Sequence, residues 1–196
     1  MPPGEAIQQY LTGAWRLMLG KRDGVRLLDI SADGFWSSFF AIVVALPAMS
    51  VSWVAVANTL SGETFGSRFS LFTRLAFADI LTWVVPLLLL GAVAGRAGIG
   101  RRYVPYVVAS NWGSVILNWL LLPPALLQLL WPSVGEFLSV FSLLLFVLAM
   151  VLSWRMTNAV LDMGVAMASA VFAGMFVFSL GLLLAVQSLL GITPSP

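Results

Sequence analysis

The chain has 196 residues, of which 60% are apolar and only 9% are charged, and its formal net charge is +2. This composition, with a mean hydropathy of +0.99, excludes an ordinary water-soluble domain. Histidine and cysteine are absent from the sequence, which excludes disulfides, thiol nucleophiles, His-based metal sites and histidine-dependent catalytic triads. We therefore expect no enzyme activity and no cofactor. The ten basic residues indicate membrane orientation rather than affinity for nucleic acid.

Five apolar stretches are long enough to cross a bilayer, since roughly 20 residues of helix span about 30 Å of hydrocarbon. The sequence predicts an all-α integral membrane protein: a five-helix transmembrane bundle preceded by an N-terminal amphipathic interfacial helix. Residues 1–34 are the predicted cytoplasmic segment, 35–190 the transmembrane domain and 191–196 a short C-terminal tail. The predicted spans are residues 35–57, 75–95, 103–122, 137–154 and 163–190.

The amphipathic helix is predicted over residues 5–20, where apolar side chains recur at helical spacing. These side chains are Ile7, Leu11, Trp15 and Met18. Such a helix is expected to lie in the membrane interface, with Lys21 and Arg22 contacting anionic headgroups or a cytoplasmic partner. It is either a docking or surface-sensing element or an ordinary anchor, and we favour the anchor.

Residues 27–36, which read L-L-D-I-S-A-D-G-F-W, join this helix to the first span. We expect Asp33 to cap the span by accepting hydrogen bonds from its first backbone amides. The alternative is that Asp29 and Asp33 form a polar patch that binds a cytoplasmic partner. No cleavable signal is evident, so the run that begins at Phe35 is expected to stay as a membrane anchor.

Two acids lie close to the predicted ends of spans. Asp79 is one turn into the second span, and Asp162 is near the start of the fifth. Arg74 or Arg68 is the expected partner of Asp79, and Arg155 that of Asp162. An acid that carries protons across a bilayer usually lies deeper, which weakens the case for a transporter. Asp162 is our first choice for a functional ionisable group.

The third span is interrupted by Pro123 and Pro124. Because consecutive prolines break the helical hydrogen-bond ladder, we expect the span to end near Leu122 and an interfacial segment to follow over residues 125–131. A re-entrant hairpin that turns at the two prolines is the alternative. It would leave four spans and place the C-terminus in the cytoplasm.

Three polar residues of the third span, Asn111, Ser114 and Asn118, share one helical face. An amide side chain in hydrocarbon is costly unless it is paired, so this face should contact other helices or a polar cavity. The residues are expected to join helices by hydrogen bonds of about 1 kcal/mol each. The alternative is a substrate or ion path that they line.

Small residues recur at four-residue spacing in two spans, a pattern that lets helix backbones approach closely. In the fifth span they are Ala166, Ala170 and Gly174, with Gly181 seven residues further on nearly the same face, and at the end of the second they are Gly91 and Gly95. The pattern predicts close helix packing. We expect that packing within the chain, and dimerisation is the alternative.

The distribution of basic residues predicts the orientation, because cytoplasmic links are enriched in Lys and Arg. With the N-terminus inside, the inner side holds eight: Arg16, Lys21, Arg22, Arg26, Arg96, Arg101, Arg102 and Arg155. The outer side holds two, Arg68 and Arg74. The sequence therefore predicts a cytoplasmic N-terminus and an outside C-terminus, in a bacterial inner membrane.

The layout of residues 27–190 resembles Yip-type proteins, the Ypt-interacting membrane proteins and their bacterial relatives. The resemblance rests on the approach to the first span, which reads D-I-S-A-D-G-F, on the five closely spaced spans, and on R-R-Y-V-P-Y at the third. The Asp-Leu-Tyr-Gly-Pro pattern of the eukaryotic members is not reproduced, so binding of a GTPase does not carry over. The resemblance implies a membrane-organising or adaptor protein without enzyme activity.

Two functions are compatible with these features. The one we favour is a scaffold, assembly factor or accessory subunit that binds another integral membrane protein or a second copy of itself, within the lipid bilayer. The alternative is a small permease or channel whose polar path follows the third span and whose mouth holds Asp162.

Overall fold

The computed structural model describes residues 2–60, 64–131 and 135–192. Within these ranges the chain forms eight α-helices and no strand. The helices are α1 (Gly4–Met18), α2 (Ala32–Ser38), α3 (Ala41–Leu60), α4 (Phe65–Ala94), α5 (Gly100–Leu120), α6 (Leu122–Leu130), α7 (Gly135–Leu161) and α8 (Val165–Leu189). Five helical segments are long and apolar enough to cross a membrane. The predicted all-α, five-helix membrane bundle is therefore confirmed.

The helices extend beyond the apolar stretches from which they were predicted. Helix α4 begins at Phe65, well before the predicted start at Leu75, because the Thr64 hydroxyl caps it by accepting a hydrogen bond from the Ser67 amide. Only a tight turn separates α7 from α8, and in it Asp162 and Gly164 have φ angles of 50° and 90°. The predicted tail, 191–196, is described only at its first two residues, and Ile192 packs into the core.

The prolines Pro123 and Pro124 do not form a turn. They occupy the first turn of α6, where the missing amide hydrogens cost little because the first helical turn has no partners for them. Leu121 keeps a helical conformation between α5 and α6, and α6 packs against α3 and α7. Residues 100–130 thus form one bent spanning segment, and the re-entrant hairpin is not formed.

Helix α1 packs against the bundle, on α5 and α7. Its buried side chains include Ala14, Leu17 and Met18, and the Tyr10 ring lies 5.2 Å from the Trp112 ring of α5. The predicted apolar face is therefore wrong at Trp15, which is 44% exposed. Spacing alone favoured the larger side chain, but close packing against the bundle places the small Ala14 inward.

A 3₁₀ turn at Arg22–Leu27 follows α1 and folds back onto it. Two glycines allow this approach. A Cβ added at Gly24 would lie 2.5 Å from the carbonyl oxygen of Gly13, and one at Gly13 would lie 2.9 Å from that of Gly24. Outside the contact, Arg16 pairs with Asp23. The N-terminal segment is therefore a compact unit that covers one side of the bundle.

The predicted cap at Asp33 is wrong. Ser31 is the N-cap of α2, and its Oγ accepts a 3.0 Å hydrogen bond from the Gly34 amide. The Asp29 Oδ1 accepts a further 3.0 Å bond from the Ser31 amide. Ser31 has extended backbone just before the helix, as a cap requires, whereas Asp33 already lies within the first turn and is exposed.

The core is centred on the N-terminal half of α5, which α1, α2, α3, α4 and α7 all contact. Its residues from Pro105 to Ala109 are buried, as are Trp112 and Gly113. A Cβ at Gly113 would lie 2.6 Å from Met156 Sδ and 3.1 Å from Met18 Cε. Helix α8, by contrast, contacts α4 and α7, and a cavity lies between it and α5.

Candidate functional site

A cavity of about 530 Å³ lies within the bundle, between α4, α5, α7 and α8. On α5 its lining runs from Tyr106 to Asn118, and on α8 from Phe172 to Leu183. At 1.5 Å per residue these stretches are about 16–18 Å long. The cavity therefore extends along the helices for about half the thickness of a hydrocarbon core.

A row of polar side chains on α5 faces this cavity. The row consists of Tyr106, Ser110, Ser114 and Asn118, each four residues from the next, so that all lie on one side of the helix. Ser114 and Asn118 were predicted. Tyr106 and Ser110 were missed, although the four-residue spacing was a signal that could have revealed them. Further hydroxyls come from the other helices: Thr82, Ser153, Thr157 and Ser179.

Asp79 is the acid of this lining. Its Oδ2 accepts a 2.6 Å hydrogen bond from the indole nitrogen of Trp53 on α3. In the described part of the chain no Lys or Arg lies within ion-pair distance of it, and Oδ1 has no hydrogen bond. Because no buried polar side-chain atom of the described residues lacks a partner, Oδ1 is not fully buried, and Asp79 lines the cavity.

The predicted partners of both acids are wrong. Arg74 donates from Nη1 to the Leu190 carbonyl at 2.9 Å and thereby ties α4 to the end of α8. Asp162 pairs with Arg22 at 2.6 Å, and Arg155 donates instead to the Leu19 carbonyl, also at 2.6 Å. In each case a residue distant in sequence is closer in space, which the local pairing rule could not anticipate.

Asp162 also lies away from the cavity, since it is at the turn between α7 and α8 and is not part of the lining. Its side chain is partly exposed beside that of Arg22. The expectation that it marks the mouth of a polar path is therefore wrong. Asp79, and not Asp162, is the acid of the cavity lining.

Asn111 does not line the cavity. It is fully buried, where its Nδ2 donates to Ser38 Oγ at 2.8 Å and its Oδ1 accepts from Trp83 Nε1 at 2.9 Å. It therefore joins α2, α4 and α5. Asn118 differs, because its Nδ2 donates to the Ser114 carbonyl of its own helix at 2.8 Å. The predicted polar face thus divides into one residue that joins helices and two that line the cavity.

The glycines of the second span differ from each other. Gly91 lies against Tyr103, whose hydroxyl would be 2.7 Å from a Cβ at this position and donates to the Leu87 carbonyl at 3.1 Å. Gly95 is exposed, and a Cβ there would meet nothing within 4 Å. Only Gly91 allows a close helix contact within the chain.

The small residues of α8 face outward. Ala166, Ala170, Gly174 and Gly181 are all exposed, and a Cβ at either glycine would meet nothing within 4 Å. The expected packing within the chain is therefore wrong for this ridge. Helix α8 uses other faces, including Ala168 and Val186, for its contacts with the bundle.

The candidate contacts of the N-terminal segment lie at the end of the bundle where α5 begins. Lys21 and Asp33 are exposed, and Arg22 is paired with Asp162. Asp29 is partly buried and engaged by Ser31. Arg22 and Asp29 therefore already have partners within the chain.

This fold and cavity define a five-span α-helical membrane protein with a cavity that carries a row of polar side chains. Comparisons with protein-family models, curated proteins and solved structures find no match for this chain. The likeness to Yip-type proteins therefore rests on the layout of the sequence. Across residues 2–60, 64–131 and 135–192 there is no group of three or more Asp or Glu side chains that could hold a metal ion.

Proposed function

We propose that this protein binds a small molecule inside the bilayer and acts as a small permease or channel. The observation that supports this most strongly is the cavity itself, which brings a carboxylate and a row of hydroxyls together among membrane-spanning helices. Its volume of about 530 Å³ lies in the range of small-molecule sites, roughly 300–1,000 Å³.

Only part of the polar lining joins helices, as Asp79 does through its hydrogen bond from Trp53. Joining helices is the role of Asn111, whose two hydrogen bonds connect α5 to α2 and α4. Other lining groups bond only to carbonyls of their own helix, as Thr82 does to Ala78 and Asp79, and Asn118 to Ser114. Polar groups that face a space within the membrane, without joining helices, are best explained by a ligand or water in that space.

The position of Asp79 is compatible with a transport path. It lies four residues, or about 6 Å, beyond Leu75, the predicted start of the second span, and on α4 the cavity lining runs from it to Leu87. A path that begins at an acid near one interface and continues along neutral hydroxyls does not require a second acid at mid-membrane.

Single-cysteine labelling tests this proposal, because the chain has no native cysteine. We expect Ser114→Cys, in the cavity wall, to react with a small neutral methanethiosulfonate reagent in intact membranes. The matched control is Ser38→Cys, at a fully buried position, which should stay unreactive. If Ser114→Cys is as inert as Ser38→Cys, the cavity is not accessible and the proposal fails. Solute flux into proteoliposomes, blocked by labelling Ser114→Cys, would then establish permeation.

A scaffold or accessory subunit is the second candidate. The outward ridge of α8 favours it, since Ala166, Ala170, Gly174 and Gly181 leave a flat surface on which another membrane helix could approach closely. Gly174→Leu should then abolish co-purification of a membrane partner or of a second, differently tagged copy. Gly66→Leu is the control, because that glycine also has no neighbour within 4 Å but lies on α4. Unchanged co-purification would reject this candidate.

We further propose a bacterial inner-membrane location with the N-terminus in the cytoplasm and the C-terminus outside. The excess of Lys and Arg on one side supports it, and so do five candidate spans, because a chain that crosses a bilayer an odd number of times has its termini on opposite sides. Fusing a reporter that works only in the cytoplasm to each terminus tests this. Activity at the C-terminus would contradict the orientation.

A further inference from the structure

We infer that the ligand of this cavity is a lipophilic cation, such as an organic ammonium or phosphonium ion. This inference rests on the proposed function and adds the chemical class of the substrate. It follows from the charge, the surface chemistry and the opening of the cavity.

The charge of the lining has one sign. Among the described residues that form it, Asp79 is the acid and there is no Lys or Arg. The Asp79 carboxylate has a free oxygen facing the cavity, and the group bonded to its other oxygen, the Trp53 indole, is neutral. A cation would supply the opposite charge that a carboxylate in a low-dielectric site lacks, whereas an anion would meet repulsion and no positively charged donor.

The remaining lining is aromatic and thioether-rich. It includes Trp83, Phe172, Phe176, Met150 and Met175. Aromatic rings attract cations through their quadrupole, and the attraction is larger where water is excluded. Methionine side chains adapt to irregular apolar shapes. These groups would contact the apolar substituents of an organic cation, but they cannot replace the water shell of a metal ion, which needs several oxygen ligands.

The cavity is open on one side, and three of its residues show where. Phe146 of α7 and Phe176 and Leu180 of α8 line the cavity and are also 45%, 36% and 44% exposed. All three lie within apolar spans, so the part of each side chain that faces outward contacts lipid. A ligand with apolar substituents could therefore reach Asp79 from the bilayer between α7 and α8, which favours a lipophilic cation over a hydrated one.

Two ions of the same shape and opposite charge provide the test. Tetraphenylphosphonium and tetraphenylborate are each titrated against the purified full-length protein in detergent, with binding measured by equilibrium dialysis against protein-free micelles. We expect the cation to bind and the anion not to bind. In Asp79→Asn the amide oxygen can still accept from Trp53, and affinity for the cation should fall by about tenfold or more. Asp33→Asn, which removes an exposed acid of α2 outside the cavity, should bind as the wild type does.

Equal binding of the two ions by the wild-type protein, or of the cation by Asp79→Asn, would overturn the inference. Absence of cation binding would also overturn the inference. If Ser114→Cys is nevertheless accessible to the neutral reagent, the proposed ligand-binding function still stands. If Ser114→Cys is itself inert, the proposed function has failed. Because the comparison of the two ions uses the wild-type protein, the test does not depend on the variants folding.

Discussion

The indole nitrogen of Trp53 lies 2.6 Å from Oδ2 of Asp79 and donates the hydrogen bond that joins α3 to α4 beside the cavity. Trp53 is buried, and its ring also packs edge-on against Phe72. The carboxylate is thus held by a neutral donor from one side while its other oxygen faces the cavity. One residue therefore contributes both to the packing of two spans and to the polarity of the site.

Removing the indole donor should destabilise the bundle. We expect Trp53→Phe to lower the free energy of unfolding by about 2 kcal/mol or more, since a hydrogen bond to a charged group contributes about 1.5–3 kcal/mol and ring area is lost as well. Trp119→Phe is the control, because its indole is 47% exposed and its bond to the Val44 carbonyl is long, at 3.3 Å. Reversible denaturation in mixed micelles measures both. Equal losses in the two variants would contradict this ranking.

The two asparagines of α5 should respond differently to the same substitution. Asn111→Leu removes the bonds to the buried Ser38 hydroxyl and to the partly buried Trp83 indole, so we expect a loss of about 1–3 kcal/mol in unfolding free energy. Asn118→Leu removes only a bond within its own helix and should change stability by less than about 0.5 kcal/mol. Thermal unfolding of the purified variants distinguishes them. A larger loss for Asn118→Leu would show that the amide facing the cavity also holds the bundle together.

The contact between α1 and the 3₁₀ turn should tolerate no side chain at Gly24. In Gly24→Ala the new Cβ would lie 2.5 Å from a backbone oxygen and 2.9 Å from Leu17 Cγ, so the turn must move away from α1. We expect faster proteolysis after Lys21 and Arg22 than in the wild type. Gly4→Ala, whose Cβ would meet nothing within 4 Å, should be cleaved at the wild-type rate. Unchanged cleavage of Gly24→Ala would mean that the two segments do not pack closely.

Acidification should loosen the same contact through Asp23. Its hydrogen bond with Arg16 holds the pKa of this carboxyl below the usual 3.8. Because the pKa is lower in the folded state, the pair stabilises the contact at pH values above 3.8 and ceases to do so as the pH falls through the folded pKa. Between about pH 5 and about pH 2.5, amide hydrogen exchange over residues 22–28, corrected for its intrinsic pH dependence, should therefore accelerate.

Asp23→Asn provides the comparison for that experiment, because it cannot titrate at this position. The exchange of residues 22–28 should then lose most of its excess pH dependence. The Asp29 carboxyl, whose pKa is also lowered, by its bonds from Ser31, is retained in this variant and accounts for any remainder at the start of α2. Identical pH profiles for Asp23→Asn and the wild type would contradict the assignment to Asp23.

Several features of the site were readable from spacing alone, because a helix fixes which residues share a side. Ser114 and Asn118 were placed on one face four residues apart, and both line the cavity. The same rule could have added Tyr106 and Ser110. The rule also grouped Asn111 with them. Asn111 lies at the edge of this face, and it bonds to Ser38 of α2 and Trp83 of α4 because those helices pack beside it.

The sequence by itself determined the class, the helical content and five spans, because hydrocarbon imposes length and apolarity on any chain that crosses it. Only the tertiary structure decided the pairings: Asp79 with Trp53, Asp162 with Arg22, and the outward face of Gly174 and Gly181. Apolar spans look alike from every side in a lipid solvent, since both their lipid-facing and their protein-facing surfaces are hydrophobic. Which face meets another helix, and which encloses a cavity, therefore depends on how all the spans pack together.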